Sequence, residues 1–208
     1  MVAALHLCGA IESSLVLLLC FVGLLRIGEA LALRVDDLVF CETAGRPSLV
    51  LLLRRTKQGP SESEKVVVTN MCVINVVRTF LQWRCGLPRL TSATYPSVSR
   101  DLARVSSLLG VGFAQFTTHS FRRGGASALA LAGMPMQDIM MFGRWSSERS
   151  AKLYVKKGEV LVLRLERALP KHQWNRICWL SSLGETVFKL HMAVQRDHPA
   201  ELAGGLTA

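Results

Sequence analysis

The hydrophobic pattern changes period several times along this chain, and each change predicts a different element. From Leu15 to Leu25 the run LVLLLCFVGLL is apolar on every side, and a helix of that kind belongs in the middle of a fold. It is roughly half of the ~20 residues that a membrane span needs. Glu12 precedes it and no basic segment opens the chain, so neither a secretory nor a transmembrane signal is expected. The helix is expected to run straight on into Arg26-Ile27-Gly28-Glu29, where Arg26 and Glu29, three apart, share a face and the carboxylate orients the guanidinium.

Strand signals follow. Val35–Phe40 is a short candidate, Ser48–Arg55 is rich in Leu and Val, and Lys65–Thr69 reads KVVVT. The polar segment Thr56–Glu64, with Gly59 and Pro60, predicts a hairpin with a mobile tip carrying Lys57. Helical spacing returns at Met71–Arg84 through Val73, Val76, Val77, Phe80 and Leu81. Residues 89–96, with Tyr95 among them, read as a loop. Val98–Leu109 reads as a second amphipathic helix, with Arg100 and Arg104 on one side. That basic side suits a DNA backbone and equally suits a solvated surface.

The segment Thr118–Tyr154 holds the densest chemistry. Thr117 or Thr118 is placed to cap a helix whose first turn bears His119 and Arg122, i and i+3 on one face. Both can grip one anion there, where the helix N-terminus adds partial positive charge. Gly124 and Gly125 leave room for close backbone approach. Gly133 and Pro135 end that helix, Met136–Phe142 forms a short apolar one stopped by Gly143, and Ser146 or Ser147 caps a third that presents Tyr154. Gly158 is expected to break it, with another helix over Glu159–Leu169. Together these elements predict an α+β fold, mainly helical, with a small antiparallel sheet or hairpin.

Composition sharpens the partner. The chain has 208 residues and a formal charge of +10, from 25 Lys and Arg against 15 Asp and Glu, which points to a polyanion. The six cysteines, at 8, 20, 41, 72, 85 and 178, show no C-x-x-C pair and no zinc-ligand spacing, so they read as reduced, mostly core thiols with no metal.

The ordered set Arg26-Ile27-Gly28-Glu29, Lys57, His119-Ser120-Phe121-Arg122, Gly143-Arg144-Trp145 and Tyr154 resembles the catalytic domain of the tyrosine recombinase (phage integrase) family over residues 10–168. The forms HSFRRGGAS and GRWSS are most similar to recombinases of Crypton-like mobile elements. The resemblance implies a site-specific DNA recombinase or integrase that cuts and rejoins DNA through a covalent 3′-phosphotyrosine. Arg26, Arg122, His119 and Trp145 would hold the phosphate, Tyr154 would attack it, and Lys57, or Lys65 across the same hairpin, would protonate the leaving group. Glu29 would support Arg26, and Arg123, Arg144, Arg100 and Arg104 would bind DNA. No cofactor and no small-molecule substrate are implied. The partners would be double-stranded DNA and further copies of the chain assembled on it, at a DNA-associated, intracellular location, nuclear in a eukaryote.

Two further expectations follow from the resemblance. Residues 1–169 would be the catalytic domain, and 170–208, with Trp174, Trp179 and Phe188, an extension of unknown role. Members of the family carry an N-terminal clamp domain of about a hundred residues, and only some twenty-five residues precede Arg26 here. Loose DNA binding is therefore expected. Two other functions stay open at this point: a type IB topoisomerase-like relaxing activity, and a non-catalytic DNA-binding remnant.

Overall fold

The computed structural model describes residues 1–43, 45–54, 64–84 and 86–182. Its helices are α1 Val2–Leu7, α2 Ile11–Val22, α3 Ile27–Ala32, α4 Met71–Trp83, α5 Tyr95–Leu108, α6 Thr118–Leu131, α7 Met136–Gly143, α8 Glu148–Ala168 and α9 Lys171–Ser182. The strands β1 Leu38–Thr43, β2 Arg46–Leu53 and β3 Glu64–Val68 form one antiparallel sheet with β2 in the middle. The mainly helical α+β architecture is the one the hydrophobic pattern predicts. No helix among the described residues is long and apolar enough to cross a membrane.

The apolar run becomes the central element. Leu15, Val16, Leu17, Leu19 and Cys20 of α2 are inaccessible to solvent, and each large aliphatic side chain so buried is worth roughly 1.5–3 kcal/mol. Around them gather α1, α4, α5 and the inner face of the sheet: Leu49, Leu51 and Leu53 of β2 alternate inward and meet Val66 and Val68 of β3. The register pairs Leu51 with both Leu38 and Val66, so the three strands deliver one apolar stripe to α2. A second, smaller core of Leu24, Ala126, Ile139 and Val155 joins α6, α7 and α8. Glu12 pins the other end of α2: it pairs with Arg84 and accepts hydrogen bonds from the Thr91 hydroxyl and the Ser92 N–H, both 2.8 Å.

Several boundaries differ from expectation. Helix α2 does not run on into Arg26: Gly23 caps it, Leu24 takes φ +46°, and Arg26 starts α3 as its N-cap. Val35–Asp37 is a 3-10 turn that precedes β1. Tyr95 opens α5 instead of lying in a loop, because Thr94 caps the helix and Pro96 fits its first turn. Helix α8 continues through Gly158, since that glycine serves packing: a Cβ there would lie 2.0 Å from Ser127 Oγ of α6. The cysteines whose burial is described are less buried than expected: of these four Cys20 is buried, Cys8 is intermediate, and Cys41 and Cys72 are exposed. Helix α1, too short for its periodicity to be read, and α9, whose Gln173 Nε2 donates to the Leu109 carbonyl at 2.7 Å, complete the fold. Lys57, with the expected mobile hairpin tip, and Phe188 lie outside the described residues.

Candidate active site

The site sits where the two cores meet, and two strained backbone turns build it. The first is the corner after α2. Leu24 is fully buried with φ +46°, a left-handed conformation that costs a non-glycine residue about 1–2 kcal/mol. The turn aims the Leu24 carbonyl at Arg122, whose Nη1 donates to it. Two residues later Arg26 caps α3, and Glu29 closes back on it. One carboxylate oxygen accepts the Arg26 backbone N–H at 2.7 Å, and the other accepts its Nη1 at 2.6 Å. The expected orientation of Arg26 by Glu29 is present, with cap geometry in place of a shared face of one continuous helix.

Helix α6 brings Arg122 to this corner. Thr117 caps it, its N–H donating to Ser120 Oγ at 3.0 Å. Gly125 lets the helix lie directly on α2, since a Cβ there would fall 2.0 Å from the Phe21 carbonyl oxygen. Room for close backbone approach is therefore used by helix packing. Arg122 is 2% exposed, and its Nη2 donates to the Gly143 carbonyl while Nη1 holds Leu24. Burial, then the charges of Arg144 and Arg26, bring this guanidinium down to about 10, with Glu29 opposing; it is a cation at neutral pH. Burial likewise pushes the neighbouring Cys20 thiol up to about 12. His119 is exposed at the rim, and its pKa is lowered by partial burial and then by Arg123 and Arg122. A neutral imidazole is the result at pH 7.

The second strained turn ends α7. Arg144 takes φ +57°, and its N–H and that of Trp145 return to the Met141 and Met140 carbonyls. Glycine is the usual residue there, yet the glycine of this turn is one position earlier. Gly143 is required where it is because a Cβ would lie 1.9 Å from the Trp145 ring. The indole so placed lies under Arg122, 4.7 Å from the guanidinium carbon to the ring centroid, and its centroid is 5.1 Å from that of the Tyr154 ring, tilted by 55°. Arg123 stands 5.8 Å from the Tyr154 centroid. Ser127 Oγ holds the Val155 carbonyl at 2.9 Å, so the α6–α8 contact at Ser127 and Gly158 fixes the height at which Tyr154 stands.

Arg26, Glu29, Arg122, Trp145 and Tyr154 are thus brought together, with Arg123 and Arg144 beside them and His119 at the edge. Lys57 lies outside the described residues. Arg104 is elsewhere: its Nη2 holds the Cys8 carbonyl at 3.2 Å, before α2 starts, and α2 itself spans ~18 Å at 1.5 Å per residue. Arg100, one turn earlier on α5, is exposed. Two features were not foreseen. Glu64, at the start of β3, lies 3.1 Å from Arg144 Nε; nothing in the sequence links them, because only the sheet brings them close. Arg123, Lys156, Lys157 and Arg164 line one basic hollow between α6 and α8, and the pair Lys156-Lys157 so soon after Tyr154 was its only trace in sequence.

A compact set of arginines with a tryptophan and a tyrosine matches what a phosphodiester requires. The comparison with curated proteins returned no match. Residues 1–159, which contain every member of the cluster, match the model of the phage integrase family. The chain therefore belongs to the phage integrase (tyrosine recombinase) family, whose members recombine and integrate DNA.

Proposed function

We propose that this chain cuts and rejoins duplex DNA through a covalent 3′-phosphotyrosine on Tyr154. The observation that carries the reading is the stack Arg122–Trp145–Tyr154–Arg123, with ring and guanidinium separations of 4.7, 5.1 and 5.8 Å. It sets a nucleophile type close to cations, one of which, Arg122, is fixed by buried hydrogen bonds. Attack by Tyr154 Oη on phosphorus forms the phosphotyrosine bond and breaks the bond to the 5′ oxygen. The phenol proton leaves to solvent or a nearby base, the departing 5′ oxygen takes a proton, and Lys57 is assigned as its donor. Attack by a 5′ hydroxyl reverses the step, so no high-energy cofactor is consumed.

Negative charge grows on the nonbridging oxygens during attack. Arg26, one-third exposed, is the arginine of the clamp open to them, and Arg122, Trp145 and His119 complete the assigned set. Loss of one such donor raises the barrier by about 3 kcal/mol. Assembly of several copies on DNA belongs to this proposal, as does the kinship with Crypton-like elements.

The test is incubation with supercoiled plasmid followed by detergent and protease treatment, beside Tyr154→Phe. Relaxed plasmid and a covalent protein–DNA adduct, both absent from the substituted chain, are expected. DNA binding without any adduct would replace this reading by that of a non-catalytic DNA-binding protein.

A further inference from the structure

Arg144 occupies a position that its backbone disfavours. With φ +57° and ψ +44° at the end of α7, glycine would fit without strain. The side chain is 10% exposed, so it does not project toward a partner outside. Its Nη2 donates to Glu29 Oε2 at 2.6 Å and approaches the Leu24 carbonyl at 3.4 Å. Its Nε lies 3.1 Å from Glu64 Oε2, an ion-pair distance without hydrogen-bond alignment, and its Nη1 is buried with no hydrogen-bond partner. From the end of α7 this one guanidinium meets three other places in the chain: the corner after α2, the cap of α3 and the start of β3.

The carboxylate of Glu29 explains what that meeting accomplishes. Its two oxygens hold the backbone N–H and Nη1 of Arg26, while Arg122 Nη1 lies 3.9 Å away, too far to direct it. Arg144 is the one remaining strong donor on Glu29 among the described residues. Without it the carboxylate would be free to turn toward Arg122, and Arg26 would turn with it. Glu64 in turn opens β3, the strand that follows the segment containing Lys57.

We propose that Arg144 is a positioning residue for strand cleavage: it locks Glu29, and through it Arg26, and ties that clamp to the base of the β2–β3 hairpin through Glu64. It does this from inside the protein and not as a ligand of the DNA backbone. The inference rests on the strand-cleavage reading above.

Arg144→Gly and Arg144→Lys test it, with circular dichroism to confirm folding. The adduct-forming rate at saturating plasmid is measured beside the affinity for a plain duplex at several salt concentrations. A misplacement near 1 Å costs on the order of 100-fold in rate, and a loss of that size is expected for Arg144→Gly. Duplex affinity and its salt slope should stay within about twofold of the unaltered chain, since a positioning residue releases no counterions. Millimolar guanidinium should recover part of the rate in Arg144→Gly, and Arg144→Lys should fall between the two. An unchanged rate in Arg144→Gly overturns the inference. So does a rate loss accompanied by weaker binding and a salt slope shallower by about 1, which marks a direct phosphate contact. If Arg144→Gly fails to fold, Arg144→Lys decides, and a full rate there overturns the inference. No adduct from the unaltered chain removes the strand-cleavage reading and this one with it; adduct from the unaltered chain and equally from Arg144→Gly removes only this one.

Discussion

At the scale of single residues the site is a problem of charge crowding. Arg26, Arg122 and Arg144 lie around Glu29, and the chain supports them with fixed dipoles: the Leu24 and Gly143 carbonyls both accept from Arg122. Such charge-assisted bonds are the strong class, about 1.5–3 kcal/mol each. His119 reports the same field from the rim. Its pKa is below the ordinary 6.5 through partial burial, then Arg123 and Arg122, so the unfolded chain binds the imidazole proton more tightly than the folded one. Stability therefore rises as pH climbs from the folded-state pKa through 6.5 and is flat above, as far as this group contributes. An NMR titration of the His119 ring should show a midpoint under 6.5 that moves up toward it in Arg123→Gln. A midpoint insensitive to that substitution would assign the shift to burial alone.

Between elements, two glycines set the distances that matter. Gly125 seats α6 on α2, and Gly158 seats α8 on Ser127, where a Cβ would lie 2.0 Å from the hydroxyl oxygen and 3.1 Å from the Arg123 carbonyl. Alanine favours a helix over glycine by about 1 kcal/mol, but overpacking costs ~1–3 kcal/mol, so Gly158→Ala is expected to lower stability on urea unfolding. The same shift moves Tyr154, one turn away, and adduct formation should fall as well. Increased stability would show that α8 slides without cost. Gly158 was legible as a residue that interrupts helices, and its use as a packing surface depends on a partner in another helix, Ser127 of α6, with α7 between them in the chain. The break at Gly23–Leu25 was hidden for the opposite reason: an unbroken apolar run conceals a corner when both cores need apolar residues.

For the whole molecule, charge and the site point to the same partner. The formal +10 and the hollow of Arg123, Lys156, Lys157 and Arg164 beside the stack predict DNA binding dominated by counterion release. With about five phosphate contacts, affinity should drop about 10²- to 10³-fold between roughly 50 and 200 mM salt, measured by fluorescence anisotropy on a duplex. A flat salt response would detach the basic surface from DNA. Arg104 is predicted to add little to that slope, since its guanidinium is taken up by the Cys8 carbonyl at the far end of α2.

The amino-acid order by itself determined the mainly helical α+β class, the central apolar helix and the strand candidates of a small antiparallel sheet, because periodicity and caps are local properties. Arg26, Glu29, Arg122, Trp145 and Tyr154 were grouped as one set by the resemblance of their ordered motifs to a known family. Only the tertiary structure decided which arginines converge: Arg104 went to the Cys8 carbonyl, Arg144 became an internal hub, and Glu64 joined it from the sheet. Helical spacing states which face a side chain takes on its own helix, but not which other element that face will meet. Where a buried charge ends up is settled by the carbonyls and carboxylates that surround it once the chain has packed.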